Sequence, residues 1–325
     1  MAKANASISV PDGTPTVSGD YVAQKNAVLA VVVAYYPDEM AWTRVRALSS
    51  TVGEVFIVDN TPFNETKNVC VQAAGESQRN IVINNVGKNI GVAAALNLGI
   101  EEAKNKGFKY LLTLDQDSAP PEFAVSQLLT TLMSADDIGS VSPIFHDESN
   151  KRRSFTPVKR FVLTPKRIMP KTGIHEVYAA ITSGTLYKLK ALEIAGNFCE
   201  KYFIDCVDHE YCLRMWRSGL RVLVDSNVDM AHSLGKRKIV QKGIFRMAPT
   251  NYPAVRYYYM LRNRVFLYKK HGMRFPQFVL FDIIYALLVL CRVVITEQNK
   301  AQKLKLMGIG VLDGIRGRGG ACIRA

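Results

Sequence analysis

The chain has 325 residues, 48% of them hydrophobic and few in low-complexity runs, which excludes a disordered or fibrous protein and fits one large domain with an elaboration. Lys and Arg number 42 against 28 Asp and Glu; the net charge of +14 predicts attraction to nucleic acid, anionic lipid or phosphorylated substrates without choosing among them. Six cysteines (Cys70, Cys199, Cys206, Cys212, Cys291, Cys322) show neither Cys-x-x-Cys nor histidine at zinc-ligand spacing, and they read as reduced thiols of a cytosolic protein.

Residues 1–26 are polar and small, with no apolar signal core, so a poorly ordered tail and no secretion are expected. Val28–Ala34 is a β-prone buried run ending at Tyr35-Tyr36-Pro37, and Pro37 to Ser50 reads as a helix with Trp42, Val45 and Leu48 on one face. Val55–Val58 is a second strand, closed by Asp59-Asn60-Thr61, and Asn80–Asn84 a third. Gly87-Lys88-Asn89-Ile90-Gly91 makes a glycine-bearing loop, and Val92 to Lys106 a helix stopped by Gly107. Tyr110–Leu114 is a buried strand running into Asp115-Gln116-Asp117-Ser118, followed by a helix from Pro121 to Ser134.

This alternation over Val28 to Ser142 predicts an α/β fold with a doubly wound, mostly parallel sheet, whose ligands bind outside the carboxyl ends of the strands. Tyr35, Asp59, the Gly87 to Gly91 loop and Asp115/Asp117 all fall on that rim. No Gly-x-Gly-x-x-Gly follows the first strand and there is no Walker lysine, which argues against a dinucleotide site and a P-loop. Asp115 and Asp117, two apart on extended backbone, point to one side and suit a hard divalent cation held jointly with a phosphate-bearing substrate. The alternative is a capped turn before Pro120-Pro121, and Asp-x-Asp alone does not decide.

Lys151 to Lys171 carries eight basic residues without periodicity and reads as an exposed loop, either a solvated linker or a phosphate-binding lid. Tyr178 to Tyr187 is expected to form strand, tight turn at Gly184, and strand, with a short helix over Leu189 to Ala195. A second acidic cluster, Asp205, Asp208 and Glu210, precedes a helix expected from Tyr211 to Ser218. Asp205 there fits an N-cap and Glu210 an i,i+4 partner of Arg214, whereas Asp208 has no such structural account and suits a general base. Arg221–Asp225 and Val228–His232 are short strands, and His232 is either structural or a ligand near Asp117.

The chain closes with a basic, aromatic helix over Pro253 to Lys270 and a nineteen-residue apolar stretch, Phe278 to Thr296, interrupted by Asp282 and Arg292. Two charges are costly in a bilayer centre, so a helix packed on the domain or lying in the membrane interface is preferred to a span. Lys269, Lys270, Arg274, Lys300, Lys303 and Lys305 flank it and suit anionic lipid.

Asp115-Gln116-Asp117-Ser118, preceded by Asn89-Ile-Gly-Val-Ala-Ala-Ala-Leu-Asn97, resembles the inverting family 2 glycosyltransferases with the GT-A fold, in the subgroup of bacterial rhamnosyltransferases that build cell-surface polysaccharides such as O-antigen. Val58-Asp59-Asn60, Thr182-Ser183-Gly184, Phe203 to Glu210 with Arg214, His232, Arg262-Asn263 and Asp313-Gly314-Ile315 also fit, from about Val28 to Gly320. The resemblance implies a GT-A catalytic domain over residues 27–250, with a nucleotide-sugar half (27–142) and an acceptor half (143–250), and a helical C-terminal region (251–325). It implies Asp59 on the nucleobase, Tyr35, Gly87, Asn89, Gly91 and Gln116 around the nucleotide, and Asp115 on the ribose or sugar. Asp117, with His232, would hold Mg2+ or Mn2+ on the diphosphate, and Asp208 would be the catalytic base. Ser183, Gly184, Asp205, Glu210, Arg262 and Asn263 would face the acceptor or sugar. In one departure, Val207 stands where many members carry Glu.

The implied donor is dTDP-β-L-rhamnose, transferred with inversion to a glycan on a polyprenyl diphosphate at the cytoplasmic face of a bacterial inner membrane; a UDP- or GDP-sugar is the alternative. The implied partners are this acceptor and an anionic membrane, with no nucleic acid, and the oligomeric state is left open. A sugar nucleotidyltransferase would need a glycine-rich, basic loop after the first strand, which Ala34 to Asp38 does not supply. A polyanion-binding module would leave the acidic strand ends unexplained.

Overall fold

The computed structural model describes residues 24–63, 80–147, 172–232 and 249–322, with five short strand segments between them; of 146–147, 231–232 and those segments only the backbone is described. The expected N-terminal tail lies outside the described residues except for 24–26, which form a helical turn, and so does most of the basic loop Lys151 to Lys171.

The first strand, β1 (Val28–Ala34), is buried along its whole length. Leu29, Val31 and Val33 face one core layer and Val28, Ala30, Val32 and Ala34 the other, so covering both faces turns the usual alternation into a continuous apolar run. Helix α1 (Glu39–Ser49) starts two residues later than expected because Asp38 caps it, accepting from the Ala41 amide at 2.8 Å. β2 (Glu54–Pro62) continues past Asp59 where the sequence suggested a close, since its end still pairs with β3 (Ile81–Gly87). Helix α2 (Val92–Asn105), β4 (Tyr110–Asp115), the two-residue β5 (Ser118–Ala119), α3 (Ala124–Met133) and β6 (Ile138–Asp147) complete the first half.

Short strands β7 (Arg152–Arg153), β8 (Thr156–Pro157), β9 (Arg167–Ile168) and β10 (Ile174–Glu176) lead to β11 (Thr185–Lys188), α4 (Leu189–Ala195), α5 (Val207–Arg217) and β12 (Arg221–His232). The small hairpin β13 (Val240–Lys242) and β14 (Phe245–Met247) precedes the last helices, α6 (Ala254–His271), α7 (Pro276–Thr296) and α8 (Lys300–Arg316). The large sheet runs β10-β12-β6-β11-β4-β1-β2-β3, with β5 and β7 pairing at its side. β4, β1, β2 and β3 are mutually parallel, and β12 is parallel to β6. β11 is antiparallel to both neighbours and joins the halves into one continuous sheet.

Of the expected strand–turn–strand at 178–187 only the second strand forms, as β11. Gly184 has φ +74°, and a Cβ on it would lie 2.7 Å from the Met230 side chain and 2.9 Å from Pro143, so the chain bends against the sheet here. The two short strands expected over 221–232 are one strand, β12, with a register shift between Asp225 and Asp229.

At the C-terminus, α8 packs on α6 through Gly310 and Gly314; a Cβ on Gly314 would sit 2.9 Å from the Arg262 carbonyl oxygen. The two charges inside α7 do not face outward. Asp282 is buried against Arg264 (3.0 Å) and the Tyr268 hydroxyl (2.6 Å), and Arg292 pairs with buried Glu297 at 3.4 Å. Lys303, expected on lipid, is buried and bound to Glu297 at 2.9 Å. The outward face of α7 is therefore apolar, with Leu280, Ile283, Ile284, Leu287, Leu288 and Val294 exposed. The five cysteines among the described residues are free thiols.

A candidate active site at the strand ends

Three strand exits are tied together at the rim. The Tyr35 amide after β1 donates to Gln116 Oε1 (2.7 Å), and Gln116 Nε2 donates back to the Tyr35 carbonyl (3.1 Å). Gln116, expected to contact the nucleotide, thus uses its amide to fix the acidic loop against β1. The Asp115 amide donates to Ser183 Oγ (3.0 Å), which lies 2.6 Å from Ser118 Oγ, and the Gly184 amide donates to the Thr113 carbonyl (2.7 Å). Ser183 is buried. It and Gly184 therefore form a bracket beneath the carboxylates instead of a surface open to sugar. Asp115 and Asp117 are both half-buried at the end of β4.

Asp59 is buried on β2 where its pairing with β1 ends, its Oδ1 accepting from the Thr61 amide (2.9 Å). The neighbouring Asn60 donates to the Gly91 carbonyl at 3.4 Å, which carries the glycine-bearing loop to the same rim. Within that loop the Gly91 amide donates to Asn89 Oδ1 (2.9 Å). Gly91 has φ +85°, and a Cβ there would strike the Phe203 ring at 2.6 Å. The Phe203 carbonyl in turn accepts from the Val92 amide (2.7 Å), joining the start of α2 to the loop before α5.

That loop holds the second acidic cluster in an unusual backbone: Phe203, Asp205 and Cys206 all have left-handed φ (61°, 62° and 59°). Each such non-glycine residue costs on the order of 1–3 kcal/mol and persists only when its surroundings fix it. The fixing groups are Arg262 and Asn263, both wholly buried. Asn263 Nδ2 donates to the carbonyls of Tyr202 (2.8 Å), Ile204 (2.6 Å) and Asp205 (2.8 Å). Arg262 donates to the carbonyls of Lys201 (3.2 Å), Tyr202 (3.1 Å) and Gly320 (2.6 Å). Both were expected at the acceptor or sugar; the geometry gives them the turn instead.

The turn starts α5 at Val207, four residues earlier than expected, with left-handed Cys206 at the cap position and no side-chain cap, so Asp205 is not the N-cap. Asp208 becomes a first-turn residue, where a carboxylate is favoured; it is half-buried, and its Oδ1 accepts from the His209 amide at 2.8 Å. Glu210 is wholly buried between Arg214 (2.9 Å) and Lys270 (2.8 Å), with His271 Nε2 at 3.5 Å. Burial alone would push its carboxyl up, yet the His271, Arg214 and Lys270 contacts hold it down at about 2. Glu210 therefore fits the ion-pair account and not the sugar-contact one.

Asp205 Oδ1 lies 3.4 Å from Arg256 Nη2 on α6, and burial raises the Asp205 carboxyl above its ordinary value. The Arg256 guanidinium stacks 4.2 Å over the Tyr252 ring. Burial works against its charge, but Asp205, Tyr252 and Asp115 together hold the guanidinium protonated. One arginine thus contacts Asp205 and is also favoured by the charge of Asp115 at the end of β4. Arg256 belongs to the basic, aromatic helix expected over Pro253 to Lys270, and nothing in its local sequence distinguishes it. His232 lies opposite Ser118 in the β12–β5 register, beside Asp117 in the chain; its side chain is outside the described residues.

Among the described residues no three His, Cys, Asp or Glu side chains converge as a closed metal cage. Asp115 and Asp117 fit the open type of Mg2+ or Mn2+ site, in which one or two carboxylates share the ion with substrate phosphates and water.

The family model described as glycosyl transferase family 2 matches residues 39–194, from α1 through most of α4. The dTDP-rhamnosyl transferase RfbF of Shigella flexneri is 28% identical over 297 residues, covering 89% of this chain and 96% of its own. Two solved structures share the fold at 12% identity. GalNAc-T7 with UDP, GalNAc and Mn2+ has a TM-score of 0.56 and covers 74% of this chain, which spans only 47% of that one. The mannosyltransferase PcManGT from Pyrobaculum calidifontis, in complex with GDP-Man and Mn2+, has a TM-score of 0.53, covering 89% of this chain and 75% of its own.

Proposed function

From the premise that this chain is a glycosyltransferase carrying a family 2 domain on the GT-A fold, we propose that it moves L-rhamnose from dTDP-β-L-rhamnose to a hydroxyl of a glycan acceptor, with inversion. The rhamnose donor is supported by the relative that spans nearly the whole chain, a dTDP-rhamnosyl transferase by description. The observation that carries the site is Arg256, which contacts Asp205 at 3.4 Å and whose charge is also favoured by Asp115, linking the acidic cluster before α5 with the acidic end of β4. The catalytic domain is assigned to residues 27–250, with a donor half over 27–142, an acceptor half over 143–250, and a helical region from 251 onward.

In this reading Asp59 and the Gly87 to Gly91 loop receive the nucleoside, with Tyr35 exposed at the mouth and Asp115 directed at the ribose or sugar. Asp117, with His232 opposite the next residue Ser118 in the sheet register, holds Mg2+ or Mn2+. The ion, when bound, would neutralise charge on the diphosphate leaving group. Asp208 takes the proton from the acceptor hydroxyl as that oxygen attacks C1 of the sugar from the face opposite the diphosphate. The left-handed turn before α5 keeps that carboxylate at the rim. Inversion converts the β-linked donor to an α-linked rhamnoside.

The acceptor is placed on a polyprenyl diphosphate, with the protein resting on the cytoplasmic face of a bacterial membrane. Support comes from the exposed apolar face of α7, a helix long and apolar enough to cross a membrane by length and composition, together with exposed Arg274 and Lys305 near its ends. The single test is a thermal-shift screen with dTDP, UDP and GDP in the presence of Mg2+ or Mn2+, followed by transfer assays. A ligand that binds only the native state raises the melting temperature, and dTDP is expected to raise it most. Stabilisation by UDP or GDP alone would overturn the donor assignment.

A further inference from the structure

We propose that Arg256 is a donor-binding residue whose guanidinium grips the diphosphate of the nucleotide sugar, so that the C-terminal helical region completes the active site. This rests on the glycosyltransferase reading above and extends it to a part of the chain beyond the family-model match at residues 39–194.

Arg256 sits in the first turn of α6, with its plane set by Tyr252 at 4.2 Å. Its contact with Asp205, 3.4 Å from Nη2, is at the long end of the hydrogen-bond range. Its Nε is buried and has no hydrogen-bond partner among the described residues, and the same is true of Asp205 Oδ2. A guanidinium carries five donors in a fixed fork and no acceptor, and a pair of its N–H groups can meet a phosphate in two parallel bonds. The arginine is therefore oriented, with Nε buried, Nη2 turned to Asp205 and its side chain 40% exposed, so that the Nη end is what a phosphate can reach.

Charge points the same way. A diphosphate entering a rim that carries Asp59, Asp115, Asp117, Asp205 and Asp208 needs fixed positive charge. The other cations of α6 that face the domain are already committed: Arg262 to backbone carbonyls, Arg264 to Asp282, and Lys270 to Glu210. Arg256 is held by Asp205 and feels the charge of Asp115, so it stands at the rim. As the acceptor oxygen forms its bond to C1, the bond from C1 to the diphosphate breaks and its electron pair goes to the leaving oxygen. Asp208 takes the hydroxyl proton, and the Arg256 donors stabilise the charge growing on the departing diphosphate.

The test is isothermal titration of wild type, Arg256→Gln and Arg256→Lys with paired nucleotides: dTDP and dTMP, or UDP and UMP or GDP and GMP if the wild type prefers those. Arg256→Gln is expected to bind the diphosphate about tenfold or more weakly while monophosphate affinity changes by less than about threefold. Arg256→Lys should fall between, because it keeps the charge and loses the fork. Equal losses on diphosphate and monophosphate would indicate a merely structural role and overturn the inference, as would unchanged diphosphate binding. A wild type that binds none of the three diphosphates overturns the donor reading itself, and Arg256's role with it.

Discussion

Asp208 and Glu210 stand two residues apart on α5 and have opposite surroundings. Glu210 is closed in by Arg214, Lys270 and His271, whereas Asp208 is half-buried and, among the described residues, accepts from the adjacent His209 amide alone. A group that must accept a proton from an incoming hydroxyl needs access, and Asp208 has it. Asp208→Asn is expected to keep the nucleotide affinity of the wild type and to lose roughly 10²- to 10⁴-fold in transfer, since the amide preserves shape but cannot take the proton. Parallel measurement of dTDP binding and rhamnosyl transfer checks this, and near-wild-type turnover would remove Asp208 from the role. At this scale the sequence spoke for the residues whose partners are local, as with Glu210 and Arg214. It could not separate Arg262 and Asn263 from ligand contacts, because the carbonyls they hold belong to a turn distant in sequence.

Elements were legible where burial pattern and caps agree. β1, α2, β4 and α6 lie close to where periodicity puts them, because each buries a continuous face and ends at a recognisable break. The antiparallel β11 and the early start of α5 were not, because both depend on approaches by distant chain: Met230 and Pro143 against Gly184, and Asn263 beneath the turn at 203–206. α7 shows the same limit. Its two charges read as obstacles to an apolar environment, yet Asp282 and Arg292 turn inward to partners on α6 and at the end of α7. Asp282→Ala would strand Arg264, whose side chain is 6% exposed, and should cost about 3–5 kcal/mol in chemical denaturation. Replacing both partners together, Asp282→Leu with Arg264→Met, should recover most of that loss, since packed apolar groups can substitute for a buried ion pair. A cost under about 1 kcal/mol for the single change, the usual range for a solvent-screened pair, would show that water reaches the pair.

For the whole molecule, the inward turn of those charges leaves an outward surface with an unbroken apolar stripe along α7, continued on α8 by Leu304, Leu312 and Ile315. A contiguous patch of this kind marks an interaction surface more often than a solvated one. The chain's net charge of +14 favours an anionic partner, and exposed Arg274, Lys305 and Arg316 lie near the ends of the stripe. Apolar insertion and charge attraction respond differently to salt, because screening shortens the reach of exposed charges to about 10 Å at 0.1 M and about 3 Å at 1 M while leaving the hydrophobic contribution in place. Co-sedimentation with vesicles containing anionic lipid should therefore be strong at low salt, weaken as salt rises, and be weaker with neutral vesicles. Ile284→Glu with Leu288→Glu places charge in the middle of the stripe and should abolish binding even at low salt, while leaving dTDP affinity unchanged because no strand end is touched. Binding that survives this pair of changes would assign the attraction to charge alone, and absence of binding by the wild type at low salt would remove the membrane from the proposed function.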